Sequence, residues 1–370
     1  IKNTIMKWLQ ISYSFSTQTA FVHNVLMFVA QFYQQNQKLF TEDELNSIYL
    51  ILNSEFTKLD KNALIFKIEG LSDFNKSKWV LNPRDFKKDK TKKPISESDD
   101  SIEYFIQKST GRKCVIKRTH DILTDDNMRR RFYTNLYILA NNKHPAIVSF
   151  IGFYEKQKFG YIVEEEIEKG SLQSALNKNQ NDVKNPLLDE THKLIISYGI
   201  SCAMEFLHDK QIIHRDLKCS HILLDSELRP YLFDFSRSAQ IEPSIKHENS
   251  IYNKTATINA PDFIEDLDNY SYTLSVDVYA YGITVYELFT GIKLFSHLKG
   301  AYHIFGAVTC EQKPSIPDSI PKNWHNLINR CYSHEPKVRP TFTEICDLLE
   351  SDEFVNNRID RKLFENYKKL

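Results

Sequence analysis

From His214 to Asp225 the chain reads His-Arg-Asp-Leu-Lys-Cys-Ser-His-Ile-Leu-Leu-Asp, and nine residues further on comes Asp234-Phe235-Ser236. Any fold for this chain has to account for that order of acid, ammonium, imidazole and second acid, set among Leu217, Ile222, Leu223, Leu224 and Phe235. There is room for more than one unit around it, since 370 residues exceed the roughly 100–200 of an ordinary domain, and a hydrophobic content of 41% can supply a sizeable core. Lys+Arg and Asp+Glu are equal at 48 each, so no global charge points to nucleic acid or to a membrane surface. Six cysteines, at 114, 202, 219, 310, 331 and 346, show no C-x-x-C spacing, which argues against a zinc site or a disulfide framework and for a reducing, cytoplasmic compartment. The chain begins at Ile1, so a piece of a longer protein is one reading of it.

The run resembles the catalytic loop and metal-binding triplet of a eukaryotic protein kinase, H-R-D-L-x-x-x-N and D-F-G, with pieces changed. The resemblance continues in order over roughly residues 80 to 350. Cys114-Val115-Ile116-Lys117 is similar to the V-A-I-K of the third strand, and Lys143-His144-Pro145-Ala146-Ile147-Val148 to the turn after helix C. Tyr161-Ile162-Val163-Glu164-Glu165 and Lys169-Gly170-Ser171-Leu172 resemble the fifth strand, the hinge and the start of helix D. Ala260-Pro261-Asp262 resembles A-P-E, Ser275 to Gly282 the start of helix F, and Lys337-Val338-Arg339-Pro340 the closing arginine motif. The phrasing is most similar to the tyrosine-kinase-like group, and Lys218 favours serine/threonine specificity by the same resemblance.

The implied fold class is α+β: a two-lobed kinase fold, with an antiparallel β small lobe carrying helix C and a mainly α-helical large lobe, preceded by a small helical domain. The expected boundaries are a helical region at 1–78, a basic linker at 79–94, and a kinase-like domain at 95–350 with lobes at about 95–166 and 167–350. A helical extension is expected at 351–370. The resemblance implies ATP and magnesium as cofactors and a protein as substrate or partner. It assigns Asp216 to the catalytic base position and Lys218 to the transferring phosphate. Lys117, Val115, Glu165, Ile167, Leu223 and Asp234 are assigned to the nucleotide, and Asp234 with His221 to the metal.

Where the nucleotide should sit, the sequence departs from the family. Kinases close a G-x-G-x-x-G turn over the phosphates, because residues without a Cβ let the backbone approach and take positive φ. No glycine lies between Gly70 and Gly111, and the corresponding stretch, Ile95 to Ile102, carries Glu97, Asp99 and Asp100. A like-charge contact at about 4 Å costs about 1 kcal/mol even in water. Family spacing puts Asn135 where helix C should offer a glutamate to Lys117. An unpaired buried ammonium is costly, so Lys117 should find Glu164, at the gatekeeper position, or Asp234, with Glu164 the favoured partner. His221 replaces the metal-binding asparagine, and imidazole suits zinc, copper, iron or nickel better than magnesium, which wants oxygen. It reads first as a core histidine bonding the Asp216 loop.

What holds the kinase shape is retained. By alignment with the family, His214, Phe235, Leu139 and Phe150 form the column coupling the lobes, Arg339 pairs Asp262, and Asp277 anchors the catalytic-loop backbone. A scaffold kept while the nucleotide-handling residues change is the pattern of a pseudokinase, a phosphorylation-responsive scaffold or switch. The alternative is a slow or atypical serine/threonine kinase, because Lys117, Asp216, Lys218 and Asp234 all survive. Between Asp234 and Asp262 lie Ser236, Ser238, Ser244, Ser250, Tyr252, Thr255 and Thr257, and Arg215 is the family's phosphate-gripping arginine, so an upstream kinase is expected to act there.

Ahead of the resemblance, no Asp, Glu, Lys or Arg occurs between Lys7 and Lys38. A membrane span is one reading of that stretch, but His23, Asn24 and Gln31 interrupt the run of about 20 apolar residues a span needs, and a buried helix in a small bundle is preferred. A second helix is expected from Thr41, with Glu44 at capping-box spacing. No membrane span is expected. Lys87 to Lys93, followed by Pro94, reads as a solvated linker.

Overall fold

The computed structural model describes residues 76–97, 100–122, 126–179, 188–240, 260–261, 273–298, 304, 307–308 and 315–370. The chain divides into two compact units, Ile1–Val80 and Leu81–Leu370. The expected helices before residue 76 lie outside the described residues, as do Asp262 and the activation-segment positions from Ser244 to Thr257. No helix among the described residues is long and apolar enough to cross a membrane.

The second unit opens with strands β1 (Phe86–Lys88), β2 (Ile95–Glu97), β3 (Asp100–Gln107) and β4 (Lys113–Asp121), followed by helix α1 (Asp126–Asn141) and strands β5 (Phe150–Lys156) and β6 (Phe159–Glu165). They build one six-stranded antiparallel sheet in the order β1-β3-β4-β6-β5, with β2 also paired to β3. The α1 stripe of Phe132, Leu136 and Leu139 is buried, as helical spacing requires of a face laid on a sheet. Phe132 meets Phe153 of β5 edge to face at 6.0 Å.

The stretch expected to be a free linker is instead woven into this sheet. Phe86 pairs in register with Gln107, and its ring is buried with Cys114, Ile116, Tyr154 and Val163. The charged residues after it fold as an ordered excursion between β1 and β2: Asp89 accepts from the Thr91 N–H at 2.9 Å, and its own N–H donates to Tyr104 O at 2.8 Å. Lys92 lies over the Tyr104 ring and pairs with Glu166. One buried aromatic thus outweighs five solvated lysines, because fully burying a Phe stabilises by about 1.5–3 kcal/mol.

The large lobe follows: α2 (Leu172–Asn179), α3 (Glu190–Asp209), the short strands β7 (Ile212–Ile213), β8 (Ile222–Leu224), β9 (Pro230–Leu232) and β10 (Ala239–Gln240), then α4 (Ser275–Thr290), α5 (Lys322–Cys331), α6 (Phe342–Glu350) and α7 (Arg361–Lys368). Asp189 starts α3 by accepting from His192 N–H at 2.8 Å, and Thr341 with Glu344 closes a capping box on α6. Helix α4 is apolar nearly all round and buried from Val276 to Leu288, as befits the centre of a helical lobe. In the C-terminal extension Phe364 of α7 is wholly buried and meets Tyr198 of α3 at 5.2 Å. This is the α+β, two-lobed kinase architecture.

Candidate functional site

The catalytic-loop backbone is fixed from below by α4. Asp277, buried in its first turn, accepts from His214 N–H at 2.7 Å, from Arg215 N–H at 2.9 Å, and meets His208 Nε2 at 3.0 Å. Burial alone would raise this carboxyl, but the His208 hydrogen bond and charge outweigh it and hold it below its ordinary range. The anchoring makes room for a strained residue: Arg215 sits at φ 64. Such backbones cost of order 1–3 kcal/mol and persist only where surroundings over-determine them. Arg339 ties the start of α4 to the turn after α5, donating to Ser275 O at 3.2 Å and to Ser333 O at 2.8 Å.

Between β7 and β9 the charged groups converge. Lys218 Nζ donates to both oxygens of Asp216, at 2.9 and 3.1 Å, and Arg237 Nε stands 3.4 Å from Asp216 Oδ2. The carboxylate at the base position is therefore engaged by two cations. His221 donates through Nδ1 to the Asp216 carbonyl at 3.0 Å, the bond expected of a core histidine on this loop. Its Nε2 lies 3.7 Å from Asp234 Oδ2. Burial lowers the imidazole to about 4 against the pull of Asp234 and Asp216, so it is neutral at pH 7.

Asp234 adopts φ 64, which turns its carboxylate toward the sheet, where Lys117 Nζ of β4 meets it at 3.3 Å. Burial would raise this acid too, yet the Lys117 ammonium holds it well below the carboxylate range. The ion pair thus runs to Asp234 and not to the favoured Glu164. Glu164 is buried on β6, in register with Val115 of β4. Burial pushes its carboxyl up to about 7, with the Lys117 charge pulling the other way.

Asn135 of α1 holds none of these charges. Its side chain is buried and its Oδ1 accepts from the Phe235 N–H at 3.1 Å. Phe235, fully buried, packs its ring on His214 at 5.1 Å, and Leu139 of the expected column is buried nearby on α1. The helix that should aim the lysine instead fixes the backbone of the Asp-Phe-Ser triplet.

The remaining residues that the resemblance assigns to the nucleotide are placed as follows. Val115 is on β4, Glu165 and Ile167 are on and just past β6, and Leu223 is on β8, bridged in backbone register to Ser171. Glu165 is engaged by Arg112 at 2.5 Å. Gly170, at φ +77, makes the turn into α2, a left-handed conformation that a Cβ disfavours. Strands β2 and β3 form a hairpin in which Glu97 pairs in register with Asp100. Ser98 and Asp99 at its tip lie outside the described residues.

Sequence reasoning missed three participants. Arg237 follows the triplet directly, and an arginine three residues after Asp234 was the available signal. Glu166 was passed over beside Glu165, although it is the more buried of the two and takes Lys92. Lys92 itself was hidden in a run of like charges. For magnesium, the donor set described here offers one carboxylate, Asp234, and an imidazole where an oxygen ligand should be, which fits a two-metal kinase site poorly.

The comparisons agree with this geometry. The profile of the family described as protein tyrosine and serine/threonine kinase matches residues 101–349. The chain is 32% identical over 244 residues to the serine/threonine/tyrosine-protein kinase HT1 of Arabidopsis thaliana, covering 66% of this chain and 60% of that protein. It is 30% identical to the serine/threonine-protein kinase STY17 of the same plant, covering 60% of this chain and 37% of that protein. It is 27% identical to the dual specificity protein kinase shkB of Dictyostelium discoideum, covering 64% and 36%. The match thus spans between about a third and three fifths of the length of these curated relatives. With its fold near the tyrosine-kinase-like group, the chain belongs to the protein tyrosine and serine/threonine kinase family.

Proposed function

We propose that this chain is a pseudokinase: a kinase-fold signalling protein of the serine/threonine, tyrosine-kinase-like type that acts by binding protein partners and not by efficient phosphoryl transfer. The observation that carries the reading is the Asn135 hydrogen bond to Phe235 N–H at 3.1 Å. In an active kinase the lysine on the third strand is aimed at phosphates by a helix C glutamate. Here the site-facing side chain of that helix is neutral and committed to the triplet backbone. Lys117 pairs with Asp234, the acid a metal would need. His221 in place of an oxygen ligand and a glycine-free β2–β3 hairpin support weak or absent binding of ATP and magnesium.

The switch would be read through the activation segment. Ser238 Oγ donates to the His214 carbonyl at 3.2 Å, which ties the start of that segment to the catalytic loop. A phosphate added further along by an upstream kinase would add a charge that an arginine such as Arg215 can pair, reordering the segment. Free thiols at Cys114, Cys202, Cys219, Cys331 and Cys346 suit a cytoplasmic location.

A second reading, a slow or atypical serine/threonine kinase, is favoured by the survival of Lys117, Asp216, Lys218 and Asp234, with His221 within 3.7 Å of both acids. Transfer from labelled ATP to an acceptor mixture, with magnesium or manganese, separates the two. The pseudokinase reading expects a rate no higher than that of Asp216→Asn. Robust transfer that Asp216→Asn abolishes would establish the enzyme.

A further inference from the structure

Where α3 packs on α6, two thiols that sequence spacing never links stand in contact. Cys202 on α3 and Cys346 on α6, separated by 144 positions, bring their Sγ atoms to 3.6 Å. Cys202 is part-exposed, whereas Cys114, Cys219, Cys331 and Cys346 are buried. Burial pushes the thiols of Cys114 and Cys219 up, so their nucleophilic thiolate forms are scarce. At the pair the two thiols are driven apart in acidity: the hydrogen bond with Cys202, and burial, push Cys346 further up, while Cys202 moves the other way. A hydrogen bond from Cys346 outweighs burial and lowers the Cys202 thiol below its ordinary value. In the neutral pair the Cys346 thiol donates to Ser201 Oγ at 3.2 Å, and the same proton can turn to Cys202 once it ionises.

We propose that Cys202 and Cys346 form a peroxide-sensitive dithiol site, with Cys202 as the attacking thiol and Cys346 as the resolving one, whose oxidation staples α3 to α6. The oxidant is a hydroperoxide. The Cys202 thiolate attacks the outer peroxide oxygen, the O–O bond breaks, and the alcohol or water leaves with one proton, giving a sulfenic acid. Cys346 sulfur then attacks Cys202 sulfur, the S–O bond breaks, and the hydroxyl leaves as water with the Cys346 proton. In sum two thiols and one hydroperoxide give one disulfide, one alcohol (or water) and one water, with two electrons passing from sulfur to oxygen. The sulfurs must close by roughly 1.5 Å to reach the S–S bond length of about 2.05 Å, and the helices that carry them, α3 and α6, pack directly on one another. Beside the pair, Tyr198 donates to Glu350 at 2.5 Å, and Glu350 pairs with Lys368 at 2.7 Å. A sulfenic acid formed here therefore meets its resolving partner directly.

Trypsin isolates each thiol on its own peptide, residues 194–210 for Cys202 and 338–358 for Cys346. The reduced full chain is treated with hydrogen peroxide, quenched with an alkylating agent and digested without reductant. The expected product is the 194–210/338–358 pair about 2 Da lighter than the two peptides summed, released by dithiothreitol, and formed at least tenfold faster than any modification of Cys114, Cys219 or Cys331. In Cys346→Ser the expected product is a sulfenic acid at Cys202 trapped by dimedone, and in Cys202→Ser neither species forms. Circular dichroism melts of both reduced variants check that they are folded. Unlinked, alkylated 194–210 and 338–358 peptides after other cysteines have been oxidised would overturn the proposal. So would a crosslink that forms only in guanidinium-unfolded protein.

Discussion

Asn135 and Phe235 are joined by a hydrogen bond from the Phe235 N–H to Asn135 Oδ1 at 3.1 Å, both residues being buried. The bond makes α1 a clamp on the Asp-Phe-Ser backbone. Replacing Asn135 by Leu keeps the volume and removes the acceptor, leaving a buried N–H unsatisfied at a cost of about 1–3 kcal/mol. Urea unfolding at pH 7 is expected to show that loss. A variant as stable as the parent would mean that the clamp contributes nothing.

Glu164 gives stability a pH dependence of unusual sign for a carboxyl. Its folded value is raised from 4.5 to about 7, chiefly by burial. The folded chain keeps this proton in a range where the unfolded chain has lost it, so the contribution is fully present below about 4.5 and is lost as pH rises through about 7. Glu164→Gln cannot ionise. It is expected to gain on the parent between pH 5 and pH 8, by about 1–3 kcal/mol at the upper end. Denaturant midpoints at the two pH values measure the gain, and a constant difference across the range would contradict the assignment.

His221 works on the acid side. Its folded value is lowered from 6.5 to about 4 by burial. The unfolded chain takes up a proton below about 6.5 while the folded chain does not, so the contribution is present above 6.5 and is lost as pH falls toward 4. In His221→Asn that loss disappears. Between pH 6.5 and 4 the parent is expected to lose up to about 3 kcal/mol more than the variant. Parallel stability curves for the two proteins would count against a neutral, buried imidazole.

The frame was legible in the sequence because the residues that build it carry their chemistry in their type. An aspartate at 277 can satisfy the two N–H groups of His214 and Arg215, and the apolar stripe of Phe132, Leu136 and Leu139 can only face a sheet. Partner choice was not legible to the same degree. Lys117 had two acids within reach, and the outcome, burial raising Glu164 while the Lys117 ammonium keeps the equally buried Asp234 ionised, is a property of the folded interior. Phe86 was lost among lysines because a three-residue strand is too short for alternation to register. The contact of Cys202 with Cys346 depends on how α3 lies on α6, which no spacing rule contains.

The central claim, that the nucleotide apparatus is disabled while the fold is kept, is tested most directly by the thermal stability of the full chain with ATP and magnesium. A ligand at 100 times its Kd stabilises by about 2.7 kcal/mol, a readily measured shift in Tm. With Lys117 held by Asp234, Asn135 committed to Phe235 and no glycine in the β2–β3 hairpin, no shift is expected at millimolar ATP with magnesium. A clear, saturable shift at micromolar ATP would contradict the account.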